Sequence, residues 1–179
     1  MKKLIVLLGA VALAGITQAA TMSWSINNMQ AMGVEDGWFV ALYDGSTTFD
    51  YAKAKDGTLA AWYTGTATET GTAGMVKSGA SALNNPSGDA FAPGDTISMY
   101  AVIFKGDSVA SATQYLVSDV VSGSVKANGA NFAVSFGSLS ATTTANKFLG
   151  ATWQSVPEPT SGLLMLVGLG ALALRRRRA

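Results

Sequence analysis

Apolar residues in the middle of this chain recur mostly at every second position, the period of a β-strand. Ser23-Trp24-Ser25-Ile26-Asn27 alternates as a half-buried strand does. From Gly37 to Asp44 the residues Trp38, Phe39, Val40, Ala41, Leu42 and Tyr43 run without polar interruption, which predicts an inner strand buried on both faces. Phe49 to Lys55 sets Phe49 and Tyr51 on one face with Lys53 and Lys55. That pattern predicts a strand near a sheet edge, where lysine discourages pairing with other chains. Asp56-Gly57 then precedes an alternating run from Thr58 to Thr64 and predicts a tight hairpin turn.

Gly65 to Gly94 breaks the pattern with a long stretch of Gly, Ala, Thr and Ser; a short helix over Gly74 to Leu83 has little support there, and a connection this long is either a functional loop or one holding strands that alternation does not reveal. Pro93-Gly94-Asp95 predicts a turn into Thr96 to Lys105, the strongest central strand. Ile97, Met99, Ala101 and Ile103 face one way there, and Tyr100, Val102 and Phe104 the other. After the turn at Gly106-Asp107, strands are expected over Val109 to Ser118, Val120 to Ala127 and Asn131 to Phe136. Asn128-Gly129 gives a second hairpin signal, and Lys147 to Trp153 is expected to close the sheet. Roughly eight or nine short strands with glycine-rich turns predict a mainly β domain over 20–155, an antiparallel β-sandwich or jelly-roll-like fold. A partly open barrel is the alternative.

The two ends follow a different logic. Met1-Lys2-Lys3, the apolar run Leu4 to Ala14 and the small residues Thr17 and Ala19 form a signal peptide over 1–19, cleaved between Ala19 and Ala20. At the other end Val156-Pro157-Glu158-Pro159-Thr160 precedes an apolar run from Gly162 to Leu174 and then Arg175, Arg176, Arg177 and Arg178. Thirteen residues make a helix of about 20 Å, short of the roughly 30 Å hydrocarbon core, so insertion requires snorkelling flanks and a thinned bilayer. The arginines hold this end in the cytoplasm and the body outside. Both prolines resist helix and keep the motif extended above the membrane.

Stiff proline motif, short apolar helix and arginine stop together resemble the PEP-CTERM sorting signal of bacterial exported proteins, a tail also labelled an ice-binding protein C-terminal domain. The resemblance covers 156–179 only. It implies recognition of Pro157, Glu158 and Pro159 by an exosortase-like membrane processing enzyme after transient anchoring in the inner membrane. It also implies a final site at the cell surface or extracellular matrix, in association with exopolysaccharide or biofilm.

Composition narrows the chemistry of the body. The chain is 49% hydrophobic and 13% charged, and its formal net charge is +1. Six of its twelve basic residues are terminal. Between Ala20 and Ser155 six lysines face ten carboxylates, a net of −4. A mildly acidic body without a basic stripe argues against nucleic acid as a partner. The chain has neither Cys nor His. That removes disulfides, thiolate nucleophiles, the usual zinc ligands and the Ser-His-Asp triad.

Most acids adjoin glycine: Asp36-Gly37, Asp44-Gly45, Asp56-Gly57, Gly88-Asp89, Gly94-Asp95 and Gly106-Asp107. Loop carboxylates can hold Ca²⁺ or act in pairs on a glycosidic bond, but Asp beside Gly is also what turns require. Turn chemistry is the expectation, and no catalytic, cofactor or metal residue is assigned. Trp24, Trp38, Trp62 and Trp153 and the five tyrosines are expected in the core. The Ser/Thr-rich stretches Thr64 to Thr72 and Ser138 to Thr144 read as solvated loops or as acceptors of O-linked sugar. The resulting expectation is a non-enzymatic exported protein of structural or polysaccharide-associated role. The alternative is a carbohydrate-binding module that uses exposed aromatics.

Overall fold

Burial on both faces makes Thr96–Phe104 the spine of the molecule, with six consecutive buried residues from Met99 to Phe104. The computed structural model describes residues 21–67, 91–126 and 130–156, and the backbone alone at 76–77 and 81–82. Among the described residues the strands are β1 (Thr21–Asn27), β2 (Phe39–Asp44), β3 (Tyr63–Thr66), β4 (Val76–Lys77), β5 (Ser81–Ala82), β6 (Thr96–Phe104), β7 (Gln114–Val117), β8 (Val121–Ser124), β9 (Phe132–Ser138) and β10 (Gln154–Ser155), with one α-helix, α1 (Tyr51–Asp56).

Six strands form one sheet. β6 pairs antiparallel with β2 on one side, and β2 in turn with β3. On its other side β6 pairs with β7 over Val102 to Phe104 and with β8 over Thr96 to Met99; β10 extends this flank by pairing with β7. Buried Ser118 fills the gap where β7 hands over to β8. Its N–H donates to the Ala101 carbonyl, and its Oγ accepts from the Ala101 N–H, both at 2.9 Å. Buried backbone groups need such partners, and here a side chain supplies one.

The second sheet is built on β1. β4 and β5 pair antiparallel with its two ends, while β9 runs parallel along its other edge. Trp24 and Ile26 of β1 and Phe132, Val134 and Phe136 of β9 meet Val40, Leu42, Ile97, Met99, Ala101 and Ile103 of the first sheet in one core. The far face of the first sheet carries a second cluster, Ala41, Tyr43, Tyr100, Val102 and Phe104, covered by Tyr51 of α1 and by Ala112. The layers are therefore sheet, sheet, and a helix with loops. Two sheets face to face bear out the mainly β expectation, as do the inward and outward sets of β6.

Several expected elements differ. Phe49 to Lys55 is not an edge strand: Asp50 accepts from the N–H groups of Ala52 and Lys53 and caps α1. Tyr51 and Ala54, three residues apart, turn inward while the lysines stay exposed. Asp56-Gly57 is accordingly a helix stop and not a hairpin, with Gly57 at φ 84°. Residues 76–77 and 81–82 are strand and not helix, so the long connection holds strands that alternation did not reveal. Asn128-Gly129 lies outside the described residues, but the strands it joins, β8 and β9, belong to different sheets and form no hairpin. Lys147 to Trp153 is turns and extended chain, and the closing strand is β10 beyond it. The parallel β1–β9 pair departs from a wholly antiparallel fold.

Candidate functional site

The candidate carboxylates other than Asp89, the tryptophans and the Ser/Thr-rich stretch after Ser138 fall on the described body, and the processing residues do not. Ala19, Ala20, Pro157, Glu158, Pro159 and Arg175 to Arg178 lie outside the described residues, as does the apolar run 162–174. Among the described residues no helix is long and apolar enough to cross a membrane.

The body delivers its C-terminus on a sheet edge. Trp153, half-buried, sets its ring edge-on to Trp38 at 5.7 Å. Gln154 and Ser155 then pair antiparallel with Tyr115 and Gln114, and the Val156 N–H donates to the Thr113 carbonyl at 3.0 Å. Val156 packs against the second hydrophobic cluster. Pro157 follows at once. Sequence reading placed the body's end at Ser155 but missed β10, because two polar residues carry no alternation.

Beside β10 lies a cleft of about 430 Å³ lined by Phe49, Asp50, Tyr51, Ala52, Lys55, Tyr115 and Ser155. Tyr51 stacks on Tyr115 at 5.7 Å and 8°, and its hydroxyl donates to the Val109 carbonyl at 2.6 Å. Burial pushes the Tyr51 hydroxyl above its usual range. A second cleft, about 530 Å³, opens between the end of β2 and the start of β6, with Asp44 and Asp95 flanking Trp62 and Phe91. Both carboxylates are engaged locally: Asp44 accepts from the Ser46 N–H at 2.8 Å and Asp95 from the Ala92 N–H at 2.7 Å.

The same holds for other acids beside glycine. Asp56 accepts from the hydroxyl and N–H of Thr58, and Asp107 from the Ser111 hydroxyl. Those hydrogen bonds hold both carboxyls below the ordinary carboxylate value. Turn chemistry thus occupies these groups. Among the described residues no three acidic side chains converge as a metal site would require.

The aromatics pack chiefly on one another. Trp24, Trp38 and Trp62 are buried, and the only large apolar side chains exposed among the described residues are Val120 and Leu149. Phe49 meets Tyr43, Tyr100, Phe104 and Tyr115 at ring-centroid distances of 5.0 to 6.5 Å. In the loop after β9, Thr142, Thr143 and Thr144 are exposed. Buried Asn146 holds that loop by donating to the carbonyls of Leu139 and Ala141.

Residues 155–178 match the family described as the PEP-CTERM protein-sorting motif, a match that begins inside β10. No curated protein and no solved structure matches the chain. Signals of this kind mark an exported protein for sorting at the membrane, where exosortase, a membrane enzyme, processes them. The chain carries a PEP-CTERM sorting signal that starts on β10, the last strand among the described residues.

Proposed function

We propose that the body is a non-enzymatic domain carried to the cell surface or extracellular matrix, with a structural or exopolysaccharide-associated role there. The observation that carries this reading is the direct continuity of a closed β-sandwich with the sorting signal, Val156 being pinned to the sheet one residue before Pro157. In support, Asp44, Asp95 and Asp107 are engaged in turns and Asp50 in a helix cap. The carbohydrate-binding alternative draws little support, because it relies on exposed aromatic faces and none of the described aromatic side chains is exposed.

The test is intact-mass measurement of protein recovered from its native envelope, comparing wild type with a Pro157→Ala, Glu158→Ala, Pro159→Ala variant. The variant keeps the apolar run and the arginines, so it should still insert and should retain its C-terminal residues, while wild type loses them. An identical mature C-terminus in both would overturn the sorting reading. Binding of the recovered protein to purified polysaccharide would separate an associated role from a purely structural one.

A further inference from the structure

The sorting signal and the folded sheet overlap. The matched signal begins at Ser155, yet Ser155 and Val156 are committed to the edge of β7. An enzyme that processes a peptide near a short motif grips it as an extended chain, commonly by strand-like backbone pairing. On β10 one row of backbone groups already belongs to β7.

There is also little slack. Five residues separate Val156 from Gly162, so the chain between sheet edge and apolar run spans about 20 Å at full extension. A membrane enzyme acting there must work against the flank of the folded body.

The attachment is built to be released in one short piece. β10 contributes two paired positions, Gln154 with Tyr115 and Ser155 with Gln114, and Val156 adds one N–H···O bond. Gln154 and Ser155 are exposed. The Gln154 amide reaches back to Thr152, at 3.2 Å from its Oγ1, and makes no side-chain bond to β7. One residue earlier Trp153 is wedged against Trp38. Peeling therefore has a natural limit: residues 154–156 can lift, freeing about 10 Å of strand, while Trp153 keeps the rest of the body closed.

We propose that β10 is a strap at the head of the sorting signal, which must lift from β7 before the processing enzyme can take the motif, so that the sheet edge sets the rate of processing. This rests on the sorting reading above. Processing itself breaks one peptide bond, its acyl half passing to water or an amine and its amino half leaving with a proton. The strap determines how often the chain is available for that step, because engagement falls in proportion to the lifted fraction.

The Cys-free chain makes a clean test. Gln114→Cys with Ser155→Cys places a single disulfide across facing positions of β7 and β10. Processing of the full-length protein is followed by intact mass in cells or in membranes that hold the enzyme. The oxidised lock should slow processing at least about tenfold, and reduction should restore it. A second variant inserts six Gly/Ser residues between Val156 and Pro157; it should be processed faster than wild type and should free the locked protein. Processing of the oxidised lock at the reduced rate, or a linker variant no faster than wild type, would overturn the strap. Failure of the sorting reading looks different: the motif-substituted protein would then be processed like wild type.

Discussion

Single residues carry constraints that their neighbours in sequence do not reveal. Gly137 and Gly57 both have positive φ, at 78° and 84°. A Cβ on Gly57 would meet nothing, whereas one on Gly137 would run into the Ala145 carbonyl. Gly57→Ala should therefore cost about 1 kcal/mol from backbone strain alone. Gly137→Ala should cost several-fold more, on the order of 3 kcal/mol, because packed backbone must also shift. Urea unfolding of the two variants measures the difference, and equal losses would show that the 139–150 loop yields freely. Tyrosine gives a pH prediction. Burial, with a smaller contribution from the Tyr100 hydroxyl, holds the Tyr43 hydroxyl far above its usual value. Burial also raises Tyr100, with Asp44 adding to the rise and the Thr47 hydroxyl opposing it. These groups ionise near pH 10 when unfolded. Their contribution to stability is thus complete below about pH 10 and is lost as pH climbs from there toward the folded values. Tyrosinate absorbance in an alkaline titration should rise together with loss of β-type circular dichroism. Independent titration of all tyrosines near pH 10 in a still-folded protein would contradict the burial. Trp24 is the converse case: its Nε1 is buried without a hydrogen-bond partner, and its ring meets Tyr63 and Phe136 edge to face.

At the scale of elements, alternation identified the strands whose two faces have distinct fates. Trp24 and Ile26 in β1, Phe132 to Phe136 in β9 and both sets in β6 lie where the pattern put them. Short segments failed for a physical reason. Over six residues, Tyr51 and Ala54 inward with lysines outward fits a helix as well as Phe49 and Tyr51 on one face fits a strand. The capping carboxylate of Asp50 tips the balance toward helix by meeting two N–H groups that a strand would have left for a neighbour. Asp50→Ala should cost about 1 kcal/mol and expose the stacked Tyr51–Tyr115 pair, read as a lower thermal midpoint and a weakened near-ultraviolet aromatic signal. An unchanged midpoint would mean that Tyr51 alone seats the helix. The parallel run of β9 beside β1 had no local signal, since alternation is the same in both directions.

For the whole molecule, the expected leader cleavage spares the strand that the second sheet is built around. β1 (Thr21–Asn27) pairs with β4, β5 and β9, and cleavage between Ala19 and Ala20 would leave all of it in the mature protein. The protein recovered from the envelope should thus start at Ala20 in N-terminal sequencing. Ala19→Arg should block cleavage and retain the leader in the intact mass; a mature start well inside β1 would contradict the expected boundary, because trimming there would remove the pairing of β1 with β5 and β9.

The sorting signal and the mainly β character were therefore written in the chain itself. A sorting signal acts through contiguous residues, and alternating burial is a local property of a strand. Which strands pair, in which direction, and that Gln154 to Val156 belong to the sheet were settled only in three dimensions. Those outcomes depend on contacts between distant residues: Ser118 with Ala101, Val156 with Thr113, Phe132 opposite Met22. The tail reads from sequence as a free signal, and the tertiary structure shows its first residues held as part of the body.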